Sequence, residues 1–149
     1  MDNDKVLVVV SHGSKRKESN QEFKNFIEKL RQINSESKKS EEFGALSVVS
    51  DQVDLTDLSG NYAEIKGACL EFASPQLETV ISELLEKGYK KIGILPLFIF
   101  AGYHVSQDIP ERMEELKNKY EELEYNILNH PAAADDFAYY IFNHALREK

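Results

Sequence analysis

The chain is short of cysteine, of basic residues and of long apolar runs, and each shortage removes a class of function. Cys69 is its single cysteine, so no internal disulfide can form and no cysteine-built zinc site exists. Eighteen Lys and Arg stand against 26 Asp and Glu, a net charge of -8. That balance excludes a nucleic-acid partner, whose phosphates call for a basic face, and an electrostatic membrane anchor. No apolar run approaches the roughly 20 residues that span a bilayer. The opening MDNDKVLVVV places acidic residues before a short apolar run, unlike the basic start of a signal peptide. A cytoplasmic protein is expected. What is present, 42% hydrophobic and 30% charged residues in 149 positions, fits one soluble domain over residues 1–149.

Lys5–Val10 (KVLVVV) is apolar on both faces, the pattern of a strand buried in a parallel sheet. A helix is expected over Glu18–Ile33, with Phe23, Phe26, Ile27, Leu30 and Ile33 on one face. Lys66–Phe72 reads as a second strand. Ser74-Pro75 then reads as a cap and first helical position, ahead of the stripe Leu77, Val80, Ile81, Leu84 and Leu85, with Gly88 placed to end it. A third strand is predicted over Lys91–Ile99, a helix from an Asp108 cap to Tyr120, a fourth strand over Glu124–Leu128, and a last helix over Ala133–Arg147. In the last helix Phe137, Tyr140, Ile141 and Ala145 share a face.

Strands alternating with amphipathic helices predict an α/β fold. The expected form is flavodoxin-like and doubly wound, with a four-stranded, mostly parallel sheet of order 2-1-3-4 and helices on both faces. Asn34–Glu64 is too long for an ordinary helix-to-strand connection and is an insertion. Its polar first part reads as mobile, and ALSVVSDQVDL alternates enough for an extra strand or hairpin. A lid, a dimer-contact arm and a plain surface excursion all fit, the last being simplest.

In such sheets ligands sit beyond the carboxyl ends of the strands, where the winding reverses. His12 follows the first strand, His104 the third and His130 the fourth. In the order 2-1-3-4 the first and third strands are neighbours, so His12 and His104 face each other at the switch point. Glu71 adds a carboxylate near the end of the second strand, although a charged residue on an edge strand also serves to block pairing. Two imidazoles and a carboxylate suit Fe(II), Co(II), Ni(II) or Zn(II), not magnesium or calcium. Gly13 and Gly102 would permit tight turns and close backbone approach beside the histidines. Lys15-Arg16-Lys17 places cations against a helix dipole, an arrangement that suits an anionic ligand. His130 reads as a turn former before Pro131, and His144 as a packing residue.

The segments SHGS, LEFASP and LPLFIFAGYHVSQDIP resemble the short class II chelatases of the sirohydrochlorin chelatase family, over Val6–Ser14 and Cys69–Pro110. The resemblance implies a flavodoxin-like fold and insertion of a divalent metal (cobalt, iron or nickel) into sirohydrochlorin, a macrocycle with eight carboxylates, for sirohaem or cobalamin. It implies no permanently bound cofactor and a homodimer. By motif it assigns metal and protons to His12, His104 and Glu71. Tetrapyrrole contacts would come from Gly13, Ser14, Lys15, Arg16, Gly102 and Tyr103, the last occupying a position often held by a smaller residue. Two other classes compete. A non-catalytic metal or tetrapyrrole carrier would share the fold. A histidine phosphatase would need arginine where Ser11 stands.

Overall fold

The computed structural model describes residues 4–43, 49–50, 53–54 and 60–148, with side chains described over 4–37 and 60–148. β1 (Lys5–Ser11), β4 (Glu64–Cys69), β5 (Lys91–Pro96) and β6 (Glu124–Ile127) form one sheet in the order β4-β1-β5-β6. Every pairing in it is parallel. This is the expected 2-1-3-4 winding. β2 (Val49–Ser50) and β3 (Val53–Asp54) pair antiparallel as a separate hairpin, the element expected in ALSVVSDQVDL. The rest of that stretch lies outside the described residues, and so do the lid and dimer-arm readings.

The central strand explains the fold. Val6, Val8, Val9 and Val10 are all fully buried, and each buried aliphatic side chain contributes roughly 1.5–3 kcal/mol. Val6, Val8 and Val10 join Ala68, Ile92 and Ile94 on one face, packed against Leu77, Val80, Ile81 and Leu84 of α2 (Leu77–Glu86) and Ile109, Met113 and Leu116 of α3 (Ile109–Lys119). Leu7 and Val9 point to the other face, with Ile65 and with Ile27 of α1 (Lys17–Phe43).

Several boundaries depart from expectation. The first helix runs on to Phe43, so the polar start of the insertion is helical. Asn34–Phe43 holds no proline or glycine, and it has tertiary ties. Asn34 Nδ2 donates to Tyr62 O at 2.9 Å and its Oδ1 accepts from Tyr62 N at 2.8 Å, while Ser37 Oγ donates to Gly60 O at 2.9 Å. The second sheet strand spans Glu64–Cys69, not Lys66–Phe72. Leu70 and Glu71 run on beside the end of β1, donating to Ser11 O and His12 O at 3.1 and 2.9 Å.

Ser74-Pro75 does not open α2. Cys69 N donates to Pro75 O and Cys69 bridges Gln76, which keeps the chain extended until Leu77. Gly88 does end the helix. At φ +95 it lets Tyr89 N reach Leu84 O and its own N–H reach Leu85 O, the pairing of a Schellman turn.

The third sheet strand ends at Pro96, three residues early. Ile99 and Phe100 are exposed, by 55% and 77%, so the end of the apolar run LFIF is a surface feature, while Leu97 and Phe98 stay partly buried against the core. α4 covers Asp135–Arg147 and has no buried residue, its expected inward stripe included. His144 is half-exposed as well, stacked on Tyr140 at 5.7 Å and 3.8 Å from Glu148. His130 does form the turn before Pro131, since Ala133 N donates to its carbonyl. Among the described residues no helix is long and apolar enough to cross a membrane.

Candidate active site

The switch point between β1 and β5 gathers the two histidines. His12 leaves β1 on a turn that only glycine permits. Gly13 sits at φ +89, and a Cβ there would lie 1.8 Å from Glu71 O. Gly102 carries no such constraint, because a Cβ there would meet nothing within 4 Å; close backbone approach holds at one of the two glycines. After β5 the chain reaches His104 at the start of a single π-turn, His104–Asp108, which leads directly into α3. The imidazole centroids of His12 and His104 are 4.7 Å apart at 60°. Glu71 joins the first of them, its Oε2 lying 3.6 Å from His12 Nε2.

Hydrogen-bond partners fix which nitrogens are free. His12 Nδ1 meets Gly13 O at 3.1 Å and His104 Nδ1 meets Asp108 Oδ2 at 2.9 Å. Both partners only accept, so in the neutral rings both Nδ1 atoms carry the proton and both Nε2 lone pairs are open. His12 and His104 side chains are 38% and 29% exposed, enough for a ligand to reach them. Among the described residues no three His, Cys, Asp or Glu side chains are preassembled around a common metal position.

The sequence reading missed the support behind His104. Asp108 makes no helix-cap bond. Its carboxylate accepts from His104 and, at 3.0 Å, from Arg112 Nε. Arg112 Nη1 also reaches Leu70 O and Glu78 Oε2, each at 3.4 Å. Burial alone would push the Asp108 carboxyl up, but the hydrogen bonds from His104 and Arg112, with the guanidinium charge, hold it below its usual value. Burial likewise opposes the Arg112 charge, and Asp108 and Glu78 outweigh it, raising that group. An i, i+4 spacing from His104 to Asp108 to Arg112 was the available signal, hidden because Asp108 also suits a helix start.

Aromatic rings frame the pair. Phe98 stacks on His104 at 5.8 Å and 23°, and Tyr103 meets it edge-on at 5.6 Å. Phe72, 5.6 Å from His12, holds φ +65, a backbone state unusual for an aromatic residue and of the kind found at functional sites. Lys15 Nζ lies 5.0 Å from the Phe72 ring centre. Phe72, Ile99, Phe100 and Tyr103 are each more than half exposed. Ser14 is occupied structurally, its hydroxyl accepting from Arg16 N while its backbone pairs with Asn20. Arg16 pairs with Glu18 at 3.7 Å, both well exposed. Cys69 is buried at 3% exposure, its Sγ 3.6 Å from Ser11 Oγ.

A parallel α/β sheet wound 2-1-3-4 defines a flavodoxin-like protein, and the two imidazoles converge at the edge where the winding reverses. The sequence profile of the CbiX family matches residues 40–146, and the chain belongs to that family. The match takes in Glu71 and His104; His12 lies before it. A chloroplastic sirohydrochlorin ferrochelatase of Arabidopsis thaliana is 22% identical over 121 residues, 81% of this chain and 42% of that protein. The chain spans about half or less of the curated relatives it matches. Among solved structures, the sirohydrochlorin chelatase SirB of Bacillus subtilis subspecies spizizenii, in complex with cobalt, superposes with TM-score 0.70 at 18% identity, over 95% of this chain and 50% of that one. The CbiX protein of Marinobacter aquaeolei VT8 gives TM-score 0.64 at 17% identity, over 95% and 94% of the two chains.

Proposed function

We propose that the protein is a sirohydrochlorin chelatase, acting in the cytoplasm as a pair of identical subunits and inserting Co(II), Fe(II) or Ni(II) into the macrocycle. The observation that carries this reading is the pair of open Nε2 atoms on His12 and His104. Metal entry releases two pyrrole N–H protons, and each needs a base. A neutral imidazole whose Nδ1 is already bonded can offer Nε2 first to the ion and then to a proton. At 3.6 Å the His12–Glu71 contact is too long for a good hydrogen bond. Once His12 Nε2 is protonated the pair becomes an ion pair, and Glu71 can pass the proton to water. Asp108 keeps the His104 ring oriented through Nδ1.

Phe72, Ile99, Phe100 and Tyr103 offer an apolar platform for a flat ring, and Lys15 and Arg16 supply charge for its carboxylates. The family supports the substrate class; the metal and the pathway, sirohaem or cobalamin, depend on supply as much as on ligand type.

The test is anaerobic incubation with sirohydrochlorin and each metal in turn, followed by the visible spectrum against a no-protein control. Faster conversion, lost in His12→Ala and His104→Ala with tetrapyrrole binding retained, is expected. Stoichiometric binding of ring and metal with no acceleration would replace the chelatase with a carrier.

A further inference from the structure

We infer that Phe72 and Lys15 form a composite contact that selects a flat ring carrying a carboxylate at its edge, and that a strained turn holds this contact beside His12. The inference rests on the chelatase reading above and adds the part of the site that tells one tetrapyrrole from another.

The turn comes first. Ala73 N donates to Glu71 O at 2.8 Å, a bond spanning two residues with Phe72 at its centre at φ +65. This is the rare γ-turn of positive φ, strained for any L-residue. It is pinned on both sides. Glu71 N donates to His12 O and Cys69 N to Pro75 O, each at 2.9 Å. Gly13 leaves room for Glu71 O, the carbonyl that closes the turn. Glycine would relieve the strain at position 72, yet an aromatic residue stands there. Packing does not offset the cost, because Phe72 is 54% exposed and belongs to neither core cluster. Strain kept without burial points to a use at the site.

The surroundings of the ring define that use. Phe98 and Tyr103 both lie against His104, while Phe72 lies 5.6 Å from His12. It therefore supplies the aromatic surface on the His12 side. Lys15 Nζ stands 5.0 Å from its ring centre, within cation–π range. Among the described residues Lys15 has no carboxylate partner, whereas Arg16 is held by Glu18. Lys15, not Arg16, is the cation left for a ligand. A flat ring with a carboxylate at its edge engages both members of the pair. A ring without the carboxylate, or a carboxylate without the ring, engages one. An edge anchored at Phe72 turns the middle of the macrocycle toward His12 and His104.

The test uses the whole chain. Phe72→Ala and Phe72→Gly both remove the ring and differ by one methyl group. Alanine is ordinarily the more stable residue; here Phe72→Gly should melt above Phe72→Ala by about 2–4 °C. Both should raise the KM for sirohydrochlorin about tenfold and leave the KM for Co(II) unchanged, and Phe72→Tyr should restore the native value. Lys15→Met should weaken binding of sirohydrochlorin about fivefold and leave binding of its octamethyl ester unchanged, in absorbance titrations where Phe72→Ala weakens both. A native chain that neither binds sirohydrochlorin nor accelerates metal insertion would overturn the chelatase reading and this inference together. With an active native chain, three results would each overturn the inference alone: Phe72→Ala melting at or above Phe72→Gly, a native KM in both variants, or an equal loss for acid and ester in Lys15→Met.

Discussion

Replacing Gly13 by alanine tests the turn that brings His12 to Glu71. The new Cβ would stand 1.8 Å from Glu71 O, whereas ordinary contact begins at 3.4 Å, so backbone must move. The residue would also hold φ +89, which costs an L-residue about 1–2 kcal/mol. The displaced carbonyl accepts from Ala73 N at 2.8 Å, and Glu71 N donates to His12 O; weakening both adds about 2 kcal/mol. The sum is roughly 3–4 kcal/mol, or about 10 °C in melting temperature at 2–4 °C per kcal/mol for a domain of this size. Gly88→Ala is the matched control, with φ +95 but nothing within 4 Å of its added Cβ. It should cost about 1 kcal/mol. Thermal melts by circular dichroism would read both variants, and the metal-insertion rate should fall only in Gly13→Ala. A Gly13→Ala melt within 2 °C of the control, at full rate, would refute the account of the turn.

Three further outcomes are expected. Asp108→Asn should lower stability at neutral pH. Because the folded-state carboxyl is held below its ordinary 3.8, its contribution is present above that value and lost as pH falls through the lower folded value. The gap between parent and variant melts should therefore narrow below about pH 4, and a constant gap would count against the pairing with His104 and Arg112. Arg112→Met should cost about 2 kcal/mol by leaving Asp108 with one partner fewer, read as a lower urea midpoint with an unchanged slope. Phe100→Ser should leave the melt within about 1 °C, since the ring is 77% exposed. It should weaken sirohydrochlorin binding about tenfold if the ring is part of the platform; unchanged affinity in a fluorescence or absorbance titration would remove Phe100 from the site.

The winding of the sheet was legible because KVLVVV and KIGILP are apolar on both faces, a pattern that only burial between two helix layers rewards. The same cue placed His12 and His104 on one edge. It overshot where apolar sequence served a surface: Ile99, Phe100 and the stripe of α4 carry the periodicity of buried elements, and periodicity cannot distinguish a core from an exposed apolar face. Ser74-Pro75 misled for another reason. A local helix-start signal was overridden by the long-range bond from Cys69 N to Pro75 O. Asp108 was read through its immediate neighbours, while its tie to Arg112, a full turn further along the helix, decided its role.

The amide clasp between Asn34 and Tyr62, reinforced by Ser37 and Gly60, makes the base of the insertion a sealed neck. The neck ties α1 to the approach to β4 through bonds that do not depend on the length of chain between them, and doubling that length adds only about 0.6 kcal/mol of closure entropy.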